Sequence, residues 1–213
     1  MAERIKFKDY RRIAHFVNDV TILRGITKKQ SSILAKLRPK GRSKPQKLSS
    51  FGQKLQSKRL FSVLYGKLSY KEYSLLFQEA CKYPGKIGIN FLSLVEKRLD
   101  VVVFRIFFFK SLNSARQCIN HQGVLVNGRI VDLSSYKLTM GDIIQIRKPL
   151  YLSDGSFLPN LSKDSEISPT LLTKFPHYEV NYKILSGIFL FSPQQLYYPL
   201  QVSLTELIPG IKR

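Results

Sequence analysis

The amino-acid sequence predicts an α+β protein: a basic extended N-terminal region, a helical subdomain, and a module of two helices packed on a short, mostly antiparallel sheet. Three observations favour this class. Apolar residues recur at helical spacing through residues 51–119, and short apolar runs separated by turn signals follow at 124–146. The formal charge is +21 on 213 residues, and a run of basic residues near the N-terminus contributes to it, which indicates the extended basic region.

The expected organisation has five parts. These are a basic N-terminal extension with short helices (1–48), a helical subdomain (49–89), the helix-and-sheet module (90–150), an insertion or linker (151–175) and a C-terminal β-hairpin segment that packs on the module (176–213).

The positive charge indicates a large polyanion as the partner. Lys and Arg number 35 against 14 Asp and Glu. Nucleic acid is therefore the first expectation and an anionic membrane surface the second. No apolar run approaches the roughly twenty residues that span a bilayer, and the N-terminal residues lack an apolar signal core. We therefore expect no membrane partner and no secretory signal.

Nothing in the sequence requires catalysis. Cys81 and Cys118 stand apart and the three histidines are scattered, so we expect neither a metal site nor a cofactor. A glycine-rich phosphate loop, a serine-nucleophile elbow and a paired catalytic motif are all missing from the sequence. We expect no catalytic residues.

Short helices are predicted at 10–20 and 27–37, and a basic run extends over 28–59. Such a run repels itself unless anions neutralise it. Prolines, a glycine and serines interrupt it, which favours an extended segment that becomes ordered on RNA; a solvated tail is the alternative. The candidate RNA-binding residues of this run are Lys36, Arg38, Lys40, Arg42, Lys44, Lys47, Lys54, Lys58 and Arg59.

Three helices are predicted between residues 51 and 106. The first covers 51–64 and ends at Tyr65-Gly66, the second ends before Pro84-Gly85, and the third continues to Ile106. Their predicted N-caps are Ser49 or Ser50, Ser69 and Asn90.

Arg98 and Arg105 lie two turns apart on the third predicted helix, beside its apolar stripe. Their guanidiniums are therefore expected to project in the same direction. Two aligned guanidiniums can bind successive phosphates, whereas two solvated arginines on a helix face are the alternative.

Ser111 is the predicted N-cap of the next helix, whose outer face is expected to carry Ser114, Arg116, Gln117 and Asn120. A helix N-terminus with hydroxyl groups nearby is a natural phosphate site, and Arg116 adds a positive charge one turn further along.

Asn127-Gly128 predicts a tight hairpin, because both residue types accept positive φ. With Arg129, its tip suits insertion into a groove. Gly141-Asp142 predicts a second turn before a closing strand at 143–146. Further along, Ser186-Gly187 is the predicted turn of a C-terminal hairpin whose return strand covers 188–191.

This order of elements resembles the RNA-binding module of the ribosomal protein S4 family. Residues 49–55, 65–66 and 90–100 are also similar to the helical part of S4 itself, and 177–199 is similar to the C-terminal segment of mitochondrially encoded members. In the module, the resemblance is carried by Arg98-Leu99-Asp100, Ser114-Ala115-Arg116, His121, Leu125-Val126-Asn127-Gly128 and Gly141-Asp142.

The resemblance implies a non-enzymatic constituent of the small ribosomal subunit. Such a protein binds small-subunit ribosomal RNA directly, contacts neighbouring small-subunit ribosomal proteins, supports assembly and translation, and is not an independent homo-oligomer. A mitochondrial ribosome is implied, with a plastid or bacterial ribosome as the alternative. The module's expected RNA-binding residues are Arg98, Arg105, Ser111, Ser114, Arg116, Gln117, Asn120, His121, Asn127, Gly128, Arg129 and Lys137.

The same module also occurs in RNA-modifying enzymes and ribosome-rescue factors, which are the alternative function. An Arg-Leu-Asp tripeptide marks pseudouridine synthases in particular. Here Asp100 lies inside the module's own first helix. We therefore expect Asp100 to be a structural partner of nearby basic groups.

Overall fold

A computed structural model of the chain describes residues 28–37, 49, 51–52, 55, 61–62, 64–109, 111–147 and 177–192. They belong to two compact units that divide between residues 89 and 90. Several predictions lie outside the described residues: the helix at 10–20, the insertion at 151–175, and the basic residues Arg38, Lys40, Arg42, Lys44, Lys47, Lys54, Lys58 and Arg59.

The first unit contains helices α1 (Lys28–Leu37) and α2 (Tyr70–Ala80). Ser69 caps α2 as predicted: its Oγ accepts the Glu72 amide at 3.2 Å, and its own amide donates to the Glu72 carboxylate at 3.0 Å. This reciprocal capping box satisfies amides that have no partner within the helix. Of the predicted helix at 51–64, only some residues are described, and those before Tyr65 are helical.

The prediction of one continuous third helix is wrong, because the structure has two helices in this region. α3 (Ile87–Glu96) and α4 (Leu99–Arg105) are separated at residues 97–98, where Arg98 has extended backbone (φ −67°, ψ 137°). The chain leaves the helix here to bond with another segment: the Leu99 amide donates to Tyr136 O at 2.8 Å. Asn90 lies within α3 and is not its cap.

Helix α5 (Leu112–Asn120) begins at the predicted cap, since Ser111 Oγ accepts the Ser114 amide at 3.2 Å. Its apolar side is buried, as the helical spacing predicted. The residues on that side are Leu112, Ala115, Cys118 and Ile119.

A five-stranded antiparallel sheet follows, in the order β2-β1-β3-β5-β4. The first hairpin turns at Asn127-Gly128 as predicted, with φ of 51° and 78°. Its strands pair Val126 with Arg129. The strands are β1 (Val124–Val126), β2 (Arg129–Ile130), β3 (Ile143–Ile146), β4 (Tyr178–Asn181) and β5 (Ser186–Phe189).

The predicted turn of the C-terminal hairpin is wrong. The chain turns at residues 182–185, and Gly187 lies inside β5. A Cβ on Gly187 would lie 3.2 Å from Ile106 Cδ1, so this glycine permits close packing between sheet and helix. β5 pairs with β3 and thereby joins this hairpin to the same sheet.

The core of the second unit lies between helices α4 and α5 and one face of the sheet. Leu99 and Val102 from α4, Ala115 and Ile119 from α5, and Phe189 from β5 are fully buried within it. The C-terminal hairpin therefore contributes directly to the core of the module.

Phe189→Ala should lower the free energy of unfolding by about 3–5 kcal/mol, because truncating a fully buried phenylalanine leaves a cavity. Leu190→Ala, next to it but 41% exposed, should change it by no more than about 0.5 kcal/mol. Urea unfolding followed by circular dichroism measures both. Equal effects would contradict the placement of β5 in the core.

Candidate RNA-binding site

A buried carboxylate binds two of the arginines of the module. Arg98 Nε donates to Asp100 Oδ1 at 3.1 Å and its Nη2 to Oδ2 at 3.2 Å, while Arg116 Nε donates to Oδ2 at 2.7 Å. The Asp100 side chain is fully buried, that of Arg98 is 4% exposed and that of Arg116 is 22% exposed. The expectation that Asp100 is a structural partner of basic groups is confirmed.

The position of Asp100 follows from the way α4 begins. Asp100 lies in the first turn of α4, where the helix dipole stabilises negative charge. Its amide donates to Ser134 O at 3.2 Å, and Arg98 forms an isolated β-bridge with Lys137. The exposed Lys137 therefore lies next to the cluster formed by Arg98, Asp100 and Arg116.

The prediction that Arg98 and Arg105 project together from one exposed helix face is wrong. Arg98 lies in the break before α4 and Arg105 in the last turn of α4, and both are buried. Arg105 forms its own ion pair with Glu96, through Nη2–Oε1 at 2.9 Å and Nε–Oε2 at 3.3 Å. A buried charge requires such a partner because the interior solvates ions poorly. These two arginines therefore act as internal cations.

Burial lowers the pKa of the Arg105 guanidinium, but the charge and hydrogen bonds of Glu96 outweigh this effect and leave the pKa raised above its ordinary value. Spacing alone did not predict this pair, because Glu96 and Arg105 lie on different helices. The break that brings the two helices together is a tertiary feature.

The exposed side of α5 forms a polar stripe, defined as Asn113, Arg116, Gln117 and Asn120. These residues are exposed or half-buried, and their spacing places them on one face of the helix. Ser114 was predicted on the outer face, but this prediction is wrong, because Ser114 is only 8% exposed. Asn113 was missed, although its helical spacing from Arg116 and Gln117 could have identified it.

The Ser111 hydroxyl serves as the cap of α5 and is half-buried. His121, at the other end of this helix, is exposed. Lys36 is exposed on α1 in the first unit.

The side chain of Asn127 stabilises the fold of the hairpin. Its Nδ2 donates to Asp142 Oδ1 at 2.8 Å, and its Oδ1 accepts the Ile143 amide at 3.0 Å. Asp142 also accepts the Thr139 amide at 2.7 Å. The two turns of the module are thus joined, and Gly128 and Arg129 are exposed at the hairpin.

Metal-ligand clusters and membrane-spanning helices are both absent from the described residues. No cluster of three or more metal-ligand side chains occurs among these residues. None of the described helices has the length and apolar character needed to cross a membrane.

Comparison with known proteins gives a consistent result. The S4 domain family matches residues 97–144, which contain the Asp100 cluster, α5 and both turns. The chain is 31% identical over 173 residues to the small ribosomal subunit protein uS4m of Reclinomonas americana, an alignment covering 74% of this chain and 64% of that protein. Residues 97–144 thus match the S4 domain, and the chain as a whole is similar to proteins of the S4 ribosomal family.

Bacterial members are similar as well. Over 108 residues the chain is 41% identical to the small ribosomal subunit protein uS4 of Brucella ovis and to that of Brucella suis. These alignments cover 51% of this chain and 53% of each relative. The chain therefore spans less than two thirds of the length of these relatives.

A histidine at the start of the C-terminal hairpin interacts electrostatically with the ion pair of Glu96 and Arg105. His177, directly before β4, is 3% exposed, and its ring lies 4.0 Å from that of Tyr178 between centroids. Burial lowers the pKa of His177, and the charge of Arg105 lowers it further, while Glu96 opposes the shift. His177 is therefore held mainly in its neutral form near neutral pH.

This shift predicts a pH dependence of stability. The pKa of His177 is lower in the folded chain than the value of about 6.5 expected in the unfolded chain, so the unfolded state binds the proton first as pH falls. The contribution of His177 is complete above about pH 6.5 and is lost as pH falls below that value. Urea unfolding at a series of pH values between about 5.5 and 7.5 measures it.

His177→Gln should reduce the slope of the free energy of unfolding against pH, because glutamine does not titrate. The matched control is His121→Gln, which replaces an exposed histidine and should leave the slope as in the parent protein. An unchanged slope in His177→Gln would contradict the assignment.

Proposed function

We propose that this protein is a non-enzymatic constituent of the small ribosomal subunit that binds small-subunit ribosomal RNA directly and supports its assembly and translation. The observation that carries the proposal is the Asp100 cluster, which holds a partly exposed Arg116 within the polar stripe of α5. The S4 domain match and the names of the similar proteins support the same function.

The proposed RNA-facing surface consists of exposed and half-buried hydrogen-bond donors. Guanidinium, ammonium and amide groups suit phosphate oxygens and 2′-hydroxyls, which report the shape of an RNA more than its sequence. Arg98 and Arg105 support this surface from inside the module. Its residues are Asn113, Arg116, Gln117, Asn120, His121, Gly128, Arg129 and Lys137.

We infer a second RNA contact from the basic run at 28–59, of which Lys36 is exposed on α1. Its composition supports this contact, because no acidic residue offsets the basic ones. Neighbouring small-subunit ribosomal proteins are the proposed protein partners. A mitochondrial ribosome is the proposed location, supported by the similarity to uS4m, while the Brucella relatives keep a bacterial or plastid ribosome as the alternative.

Binding should weaken steeply with salt. The log–log slope should be roughly −0.7 to −0.9 per phosphate neutralised, because each contact releases condensed counterions. Filter binding measures the slope, with a transcript of the 5′ domain of small-subunit ribosomal RNA, the region that the resemblance to the S4 family implies. Lys137→Ala should reduce its magnitude, while Lys183→Ala, which removes an exposed lysine from the β4–β5 turn, should not. A nearly flat salt dependence of the wild type would contradict direct RNA binding.

Ribosome association tests the proposed role against a transiently bound factor. A tagged chain should sediment with small subunits at about one copy per subunit, since a constituent remains bound through translation. Quantitative mass spectrometry of the gradient fractions measures the ratio. A ratio far below one, or association only with stalled particles, would instead favour an RNA-modifying or ribosome-rescue factor.

A further inference from the structure

We propose that Asp100 is a positioning residue for RNA binding, which orients Arg116 toward a phosphate in addition to its role in the fold. This inference rests on the proposed function, because it assigns a role within the same RNA-facing surface. Asp100 itself is fully buried and therefore acts through Arg116.

The charge of the Asp100 cluster is the first argument. Asp100 binds two arginines, Arg98 and Arg116. If Asp100 served only to neutralise Arg98, it would need no contact with a second arginine. Arg116 is the most exposed member of the cluster at 22% and therefore carries a positive charge to the surface of the module.

The geometry of the contact is the second argument. Arg98 donates to both oxygens of Asp100, while Arg116 donates to one of them through Nε at 2.7 Å, the shortest of these three bonds. A planar guanidinium held at Nε has its terminal edge, Nη1 and Nη2, turned away from that carboxylate. This terminal edge can bind a phosphate bidentately.

Preorganisation is the third argument. Arginine has many rotamers, and binding RNA with a mobile side chain would restrict them at a cost in entropy. The bond from Asp100 restricts Arg116 before RNA arrives. The polar stripe on α5 then presents a fixed guanidinium between Asn113 and Asn120.

Asp100→Asn separates positioning from simple electrostatics by the sign of its effect. The variant removes a negative charge, so a role limited to charge predicts equal or tighter binding to RNA. Positioning predicts the opposite: roughly tenfold weaker binding at about 0.1 M salt, and a slope smaller by about one phosphate equivalent. Filter binding to the transcript of the 5′ domain measures both, scaled to the folded fraction from circular dichroism.

Glu96→Gln is the matched control. It removes an equally buried carboxylate and changes the net charge by the same amount, but from the pair with Arg105. It should make unfolding easier and leave the RNA affinity of the folded fraction at least as high as in the wild type. A tenfold loss in Glu96→Gln as well would show that any buried carboxylate has this effect, and would overturn the proposal.

The double variant completes the test. Arg116→Ala should weaken binding by roughly tenfold, and adding Asp100→Asn to it should have little further effect, because both act through one guanidinium. Additive losses would show that Asp100 acts independently of Arg116 and would overturn the proposal.

Arg116→Lys keeps the test decisive if Asp100→Asn does not fold. Lysine retains the positive charge but has no Nε–H to bond with Asp100, so it should bind about as weakly as Arg116→Ala. Binding as tight as that of the wild type would overturn the proposal. If the wild type itself fails to bind the transcript, the proposed function fails instead, which distinguishes the two.

Discussion

Pairing of buried arginines with buried carboxylates is the constraint on which the S4 module of this protein depends. An isolated charge in a protein interior costs several kcal/mol, so each guanidinium inside the module requires an acidic partner. Asp100 and Glu96 provide these partners. Their partners Arg98 and Arg105 are internal, whereas Arg116, which also binds Asp100, remains partly exposed.

The break between α3 and α4 is what makes this pairing possible. At residues 97–98 the backbone bonds with the segment at 134–138, through Leu99 to Tyr136 and Leu138 to Lys97. The break places Glu96 and Arg105 on different helices and positions Asp100 in the first turn of α4. A continuous helix would have kept Arg98 and Arg105 on one face, as their spacing predicted.

Hydrogen bonds between two turns, and the pairing of distant strands in one sheet, connect the rest of the module. Asn127 connects the hairpin to the turn at Asp142, and β5 pairs with β3, so distant parts of the chain form one sheet. Gly187 shows why pattern alone misplaced the last turn: its missing Cβ serves close packing against Ile106, which a sequence cannot distinguish from a turn.

Local chemistry in the sequence determined the capped starts of α2 and α5, the Asn127-Gly128 turn and the resemblance to the S4 family, because each depends on residues close together in the chain. Only the tertiary structure decided which basic residues face solvent. Helical spacing gives the direction of a side chain about its own helix, but the partner that buries it comes from another element. Arg98 and Arg105 therefore proved to be internal, while Arg116 remains partly exposed.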